Sequence, residues 1–450
     1  MMLKKVNQRF YLYAISCLII TVLLVVFASS KFPKYHGMLQ FMILMVIMDF
    51  YLWKSLRTSI NKLNIILKSI SKIVYWLPLT IVITFVLSSI IINIKDWDQN
   101  VRTYLTGFIM VFFTAKTIAV IFLFIADIFR FFRFVWFFLF KRNAFYSKFK
   151  NRRPKVILYI GNTLSFLIFF TMLYGMIFTE FNFKVRRVEL SFPNLPVQFN
   201  GYKIVQLSDM HLGSWYSEKP LQKAVNIINE LHPDLICFTG DLVNFSTDEA
   251  FRFENTLKQM HSPNGVYSIL GNHDYGNYVK WTTDKEKEDN MKAMYDLQKR
   301  LGWHLLLNAN DSIIKDSASI IIAGVENWGF HPRFPKYGDI DKAINNVDTN
   351  KFILLLSHDP SHWQYIINPK YPFINLTLSG HTHGMQMGIT WNNNEWSPAK
   401  YMYKYWAGLY TSIFGNKSQY LYVNRGLGVI GYPGRLGMPP EITIIELKRK

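Results

Sequence analysis

Tyr202-Lys203-Ile204-Val205-Gln206-Leu207-Ser208-Asp209-Met210-His211 is the stretch on which the reading of this chain turns. Tyr202 to Leu207 has the length and β-branched content of a short strand. At its C-terminal end, Asp209 and His211 are separated by one residue. In an extended segment that spacing turns both side chains to the same side, so the two can converge on one ion.

The same grammar repeats outward from this point. A helix-like segment, Glu218–Leu231, leads to a second strand, Asp234–Phe238, which ends in Thr239-Gly240-Asp241. There glycine permits a tight turn, and the aspartate offers two oxygens that can bridge two ions. A strand over Gly265–Leu270 is followed by Gly271-Asn272-His273-Asp274, and one over Lys351–Leu356 by Ser357-His358-Asp359. A last strand, Asn375–Leu378, runs into Ser379-Gly380-His381-Thr382-His383-Gly384. Each fragment alone is an ordinary turn or cap. Five strands each ending in candidate ligands place those ligands where open α/β sheets put their sites.

In this order the motifs Asp-x-His, Gly-Asp, Gly-Asn-His-Asp, His and Gly-His-x-His resemble the calcineurin-like metallophosphoesterase family over about residues 185–450. The closing stretches Tyr422–Gly428 and Pro439–Thr443 look like the membrane-associated bacterial branch of that family. The resemblance implies a β-sandwich flanked by helices with two divalent ions across the strand ends. Asp209, His211 and His383 would hold one ion, Asn272, His358 and His381 the other, and Asp241 would bridge them. His273 would protonate the leaving oxygen or stabilise charge on the transferring phosphoryl group, with Asp274 orienting its ring. Asp359 and Thr382 would orient His358 and the pair His381/His383. Arg425 and Arg435 are candidates for the non-transferred part of the substrate, because guanidinium suits bidentate phosphate contacts. A structural role is the alternative for both.

The chemistry follows from the donor set. Mixed nitrogen and oxygen ligands without thiolate suit Mn, Fe or Zn better than Mg or Ca. Two ions about 3.5–4 Å apart lower the pKa of a shared water, clamp two phosphoryl oxygens and stabilise an in-line displacement. The expected activity is hydrolysis of phosphate ester or pyrophosphate bonds by a metal-bridged hydroxide.

Composition divides the 450 residues in two. Residues 1–180 hold 22 of the 50 Lys/Arg and 5 of the 30 Asp/Glu, which leaves 28 against 25 for residues 181–450. Of the net charge of +20, all but about +3 therefore belongs to the first part, and the second gives little electrostatic reason to track a nucleic-acid backbone. Residues 1–180 read as an α-helical multi-pass membrane domain with about five spans, near 10–28, 38–53, 74–94, 104–126 and 156–178; residues 181–450 read as the phosphoesterase domain. The first span has a signal peptide as its alternative, since Ala28-Ser29-Ser30 follows the apolar run. Phe131–Phe140, flanked by basic residues, is expected to be either an interfacial helix or a continuation of the fourth span. Lys116 is expected to pair between helices and Asp127 to sit at the interface.

Basic residues cluster before the first span, after the second (Lys54, Arg57, Lys62, Lys68, Lys72) and after the fourth, where nine lie between Arg130 and Lys155. The positive-inside rule puts these segments in the cytoplasm and the catalytic half on the extracytoplasmic side of the cell membrane. The two cysteines, Cys17 and Cys237, sit in apolar runs and read as buried hydrophobes.

Between Gly384 and Tyr422 lie Trp391, Trp396, Tyr401, Tyr403, Tyr405, Trp406, Tyr410 and Phe414. Such rings either meet a membrane interface or ligand groove, or pack their own loop. With the tether, they point to a phosphorylated small-molecule or lipid substrate beside the bilayer. Three rivals remain: a non-catalytic membrane scaffold or sensor that keeps the fold, a transporter bundle with the hydrolase as its accessory, which Lys116 keeps open, and a cytoplasmic-face UDP-diacylglucosamine pyrophosphatase, which the charge-derived sidedness opposes.

Overall fold

The computed structural model describes residues 36–92, 96–140, 152–392, 394–415 and 417–450, with Phe27 and Ser30. Most of the expected first span, and Cys17 with it, lies outside the described residues. The chain forms two units. One takes the chain up to Trp97 with Leu105–Leu173; the other takes Asp98–Tyr104 with Tyr174–Lys450.

The first unit is helical. His36–Ile60, Ile65–Ile91, Gln99–Phe140 from Leu105 on, and Lys155–Tyr174 up to Leu173 supply it, and all four helices are long and apolar enough to cross a membrane. Helices satisfy every backbone polar group internally, which is what a hydrocarbon core demands. Asn64 caps the second of them by accepting the Leu67 N–H at 2.9 Å. The expected fourth span and the Phe131–Phe140 segment are one continuous helix, so the interfacial reading gives way to continuation. No Gly or Pro interrupts the turn between them, and Arg130 pairs with Asp127 at 3.2 Å across it.

Inside this unit Leu39, Met45, Leu79, Val82, Val86, Ile109 and Phe113 form an apolar core. Lys116 pairs with the buried Asp49 of the first described helix at 2.7 Å and also donates to the Tyr75 carbonyl at 3.1 Å. Asp127 accepts from Arg153 and from the Tyr51 hydroxyl, each at 2.7 Å. Charged groups in such helices are stable only when partnered, and these are.

The second unit is a sandwich of two six-stranded sheets. One has the order β1-β14-β2-β3-β4-β5, with β1 Lys184–Phe192, β2 Tyr202–Leu207, β3 Leu235–Phe238, β4 Val266–Ser268, β5 His304–Leu305 and β14 Glu441–Arg449. The other runs β12-β13-β9-β8-β7-β6, with β6 Ala309–Lys315, β7 Ala318–Gly324, β8 Ile353–Leu356, β9 Leu376–Ser379, β12 Gly408–Phe414 and β13 Lys417–Val423. A short hairpin of β10 Ile389–Trp391 and β11 Asn394–Trp396 stands apart.

Three apolar layers hold it together. Leu190, Ile204, Leu235, Ile320, Leu354 and Leu376 meet between the sheets. The outer face of the first sheet is covered by helices Glu218–Glu230 and Asp284–Arg300 through Leu221, Val225, Ile228, Met294 and Leu297. The outer face of the second is covered by Ile340, Trp363 and Ile367. Strands β3, β8 and β9 are buried at every position because both their faces are covered, and β3 and β8 read accordingly as unbroken apolar runs. The fold is the expected β-sandwich flanked by helices. β2, β3 and β4 are parallel neighbours in one sheet, as are β8 and β9 in the other, so their C-terminal ends lie at one edge.

Candidate metal centre

Every sequence motif emerges from one of those five strand ends, and the turns there are tight. Asp209, His211, Asp241, His381 and His383 all have left-handed backbone, with φ between 45° and 72°. Non-glycine residues hold such angles only where the surroundings over-determine them, and they gather at functional sites. Two glycines make the turns possible. A Cβ on Gly240 would run into the backbone of Gly271, and one on Gly380 into the side chains of Ser208 and Asp209.

The side chains converge in two groups. Asp209, His211 and His383 bring ligand atoms together in one; Asp241, His358 and His381 do so in the other. In the first, His211 Nε2 lies 3.0 Å from His383 Nε2, and His383 Nε2 lies 3.2 Å from Asp209 Oδ1. In the second, His358 Nε2 lies 3.2 Å from Asp241 Oδ2 and 3.3 Å from His381 Nδ1. Asn272 joins it, its Oδ1 standing 2.8 Å from His381 Nδ1. Asp241 Oδ2 also lies 3.5 Å from His211 Nε2, so one carboxylate oxygen faces both groups.

These separations suit metal ions. Donors about 2.0–2.1 Å from a tetrahedral ion are spaced about 3.3 Å from one another. Two imidazole nitrogens facing each other at 3.0 Å, both buried, with carboxylate oxygens closing the ring, form a donor cage. The fold implies divalent metals, and the residues present fit two.

Hydrogen bonds fix which ring nitrogens face inward. His358 Nδ1 meets the Thr239 carbonyl at 2.7 Å, which leaves its Nε2 for the centre. His381 does the reverse: Nδ1 faces inward while Nε2 lies 2.9 Å from the Tyr403 hydroxyl and 3.7 Å from Asp359 Oδ2. Asp359 thus neighbours His381, whereas His358 is oriented by a backbone carbonyl. Thr382 donates to the Trp406 carbonyl at 2.5 Å and ties the aromatic loop to the turn that carries His381 and His383.

The electrostatics match the burial. Burial opposes ionisation of Asp241, yet the imidazoles of His358, His273 and His211 hold it well below the usual carboxylate range. Burial pushes His211 and His381 down. His358 goes the other way, to about 10, because Asp241 and Asp209 outweigh its burial.

His273 sits at the edge of the first group, its ring perpendicular to that of His211 at 4.9 Å. Its orientation corrects the sequence reading. His273 Nδ1 meets the Asn244 carbonyl at 2.7 Å, and Asp274 does not touch the ring. Asp274 instead accepts backbone N–H groups from Asp241, Leu242, Val243 and Gly271 at 2.8 to 3.2 Å, which secures the turn bearing Asp241. The loop holding Asn244 is itself pinned: Glu249 accepts the N–H groups of Asn244 and Phe245, and the buried Arg102 pairs with Glu249 at 2.5 Å.

Arg425 and Arg435 are both buried, and their guanidinium groups are engaged inside the protein. Arg425 is almost fully buried and paired with Glu441 at 2.5 Å and with Glu395. Arg435 is wholly buried and donates to the carbonyls of Arg425, Gly426, Gly428 and Met438. Together they organise the closing loop, whose Leu427 and Gly428 N–H groups bond the carbonyls of Ser208 and Asp209 at 2.9 and 2.8 Å. A buried guanidinium needs such partners, and that need decides their role.

Sequence reasoning missed Tyr278, Tyr403, Asn244 and Thr239. Tyr278 accepts from Asn272 Nδ2 at 2.9 Å and lies tilted against the His273 ring at 4.3 Å. Tyr403 belongs to the aromatic segment, but nothing local separates it from its neighbours: Tyr405 packs on Trp363 and Tyr410, while Trp391 and Tyr401 are three-quarters exposed. Cys237 is a buried free thiol in β3, as an apolar residue would be.

Comparison with known proteins agrees with this geometry. Residues 202–385 match the family "Calcineurin-like phosphoesterase", and residues 35–180 match "Probable Calcineurin-like phosphoesterase, transmembrane domain". The chain is similar to the zebrafish (Danio rerio) "Transmembrane protein with metallophosphoesterase domain", 32% identical over 61% of this chain and 60% of that one. It is 31% identical to the metallophosphoesterase YkuE of Bacillus subtilis over 56% of this chain and 82% of the relative. It is 28% identical to the UDP-2,3-diacylglucosamine pyrophosphatase LpxG of Chlamydia muridarum over 58% of this chain and 88% of the relative. The match thus spans three-fifths of the zebrafish protein and most of the two bacterial ones.

Proposed function

The chain belongs to the calcineurin-like phosphoesterase family, and from that premise we propose that it is a membrane-anchored, metal-dependent hydrolase of phosphate ester or pyrophosphate bonds. The observation that carries this reading is the single oxygen of Asp241 shared between two complete ligand groups. Asp209, His211 and His383 would hold one ion, Asn272, His358 and His381 the other, with Asp241 between them. Mn, Fe or Zn suits the donors. Bound ions would supply an activated water and neutralise phosphoryl charge. His273, held by the Asn244 carbonyl so that Nε2 is its free nitrogen, would give a proton to the departing oxygen. Completeness of both groups, and of His273, weighs against a scaffold that has lost turnover.

The substrate side favours an amphiphile. Met385, Met387, Ile389, Trp391, Tyr401 and Met402 are exposed near the turn that carries His381 and His383. An apolar surface of this kind fits a lipid-linked substrate. The LpxG relatives favour pyrophosphate-linked lipids within that class. The extracytoplasmic side is supported by the described helices alone: Lys62 and Lys68 fall between or just inside the first two, and Arg152, Arg153 and Lys155 precede or open the fourth, so the chain leaves Thr179 opposite the basic face.

The full chain in detergent, supplied with Mn, is expected to release p-nitrophenol from p-nitrophenyl phosphate, and Asp241→Asn is expected to abolish that release. Turnover that persists without metal would overturn the reading.

A further inference from the structure

Beside His381 the sandwich carries a second feature, a cavity of about 350 Å³ whose lining includes Phe330, Arg333, Phe334, Tyr365, Tyr403 and Lys404. It adjoins the centre directly. The Phe334 ring stands edge-on to His381 at 4.8 Å, and the Tyr403 hydroxyl is the one that meets His381 Nε2. Its far wall is apolar and flat, Phe330 stacked on Tyr365 at 4.3 Å with an interplanar angle of 20°.

Its cations set it apart from the rest of the site. Arg425 and Arg435 are consumed by buried partners, whereas Arg333 and Lys404 are exposed and, among the described residues, pair with no carboxylate. Each lies against a ring instead, Arg333 over Phe334 at 4.7 Å and Lys404 over Tyr405 at 5.1 Å. One aromatic ring therefore separates the Arg333 guanidinium from His381. Arg333 also lies within electrostatic reach of both Tyr278 and Tyr403, the hydroxyls that touch Asn272 and His381. The acid on the cavity lining, Asp359, is already engaged: Oδ1 accepts the Ser361 N–H at 2.8 Å and Oδ2 faces His381. Arg333 and Lys404 are thus the cations of the lining that no carboxylate pairs with among the described residues.

Resting on the metallophosphoesterase reading, we infer that this cavity receives the departing half of the substrate and that Arg333 and Lys404 select one in which that half carries its own phosphate, a pyrophosphate-linked compound. A monoester leaves a neutral alcohol and gives neither cation a partner; a pyrophosphate brings an anion to them, and guanidinium takes phosphate oxygens in pairs. Water adds to the attacked phosphorus and its oxygen stays there. The bridging oxygen leaves with the second phosphate, and the protons of water pass to the products or to solvent. The Phe330–Tyr365 wall holds the apolar or flat remainder.

A matched pair of probes tests this on the full chain in detergent with Mn: dodecyl diphosphate and dodecyl phosphate, both read as released inorganic phosphate. The wild-type chain is expected to prefer the diphosphate at least tenfold in kcat/KM. Arg333→Ala and Lys404→Ala are each expected to lower that preference tenfold or more, mainly through KM, and Arg333→Lys to restore part of it. A wild-type chain that prefers the monoester, or variants that leave the ratio unchanged, overturns the inference while the hydrolase reading stands. A chain that cleaves p-nitrophenyl phosphate but neither dodecyl probe overturns the inference alone; one that cleaves none of the three takes down both.

Discussion

The carboxylate of Asp274 accepts the backbone N–H of Asp241 at 2.8 Å, so the residue that follows His273 in the chain supports a candidate ligand instead of its neighbour's ring. Three further backbone N–H groups end on the same carboxylate. Asp274→Ala strips these buried donors of their acceptor, each at about 1–3 kcal/mol. The variant is expected to melt well below wild type and to lose bound metal. His273→Ala is expected to do neither, and to lower kcat by about 10²–10⁴. Thermal melts, elemental analysis and kinetics on both variants check the division of labour.

Removing metal tests the centre itself. Chelation by EDTA is expected to abolish activity and to lower the melting temperature, because ions bound only to the folded chain stabilise it by mass action. Re-addition of Mn restores both. Asp241→Asn is expected to fail restoration, since it removes the charge that both groups share.

Tyr403 offers a finer probe of the second group. Its hydroxyl orients His381 by holding Nε2, and loss of such outer partners costs roughly 10–100-fold in metal affinity. Tyr403→Phe is expected to weaken one of the two bound ions by that factor and leave the other nearly unchanged, as a two-site metal titration followed by calorimetry would read.

Glu180 makes stability fall with rising pH. It is buried, and burial pushes its carboxyl from the ordinary 4.5 up to about 8, with Arg435 opposing only in part. The folded state therefore binds this proton more tightly than the unfolded state does. The contribution is full below about pH 4.5 and is lost as the pH rises through about 8. Glu180→Gln is expected to flatten the dependence over that window. Melting temperatures of both chains at pH 5 and pH 8.5 give the comparison; parallel curves would sink the assignment.

Much of this was legible before any coordinates. The strands at Tyr202–Leu207 and Leu235–Phe238, and the helix at Glu218–Glu230, fall where the pattern puts them, because the first strand is short and β-branched, the second an apolar run, and the helix a 3.6-residue stripe. The continuity of the fourth span through Phe131–Phe140 was not legible. Flanking charges suggest an end there, but helix continuity is decided by backbone hydrogen bonds and by the pairing of Asp127 with Arg130 and Arg153.

By itself the sequence determined the ligand types and their places after strands, since those follow from short-range geometry: alternation along a strand, and turns that only glycine or a tolerant residue can make. Tertiary structure decided everything that depends on contacts between distant segments. It set Asp241 between His211 and His358, gave His273 to Asn244, buried Arg425 and Arg435 among carboxylates and carbonyls, and left Arg333 and Lys404 without a carboxylate partner among the described residues. An arginine in a sequence is only a charge; whether it is free to meet a phosphate depends on which acids and carbonyls the fold brings to it.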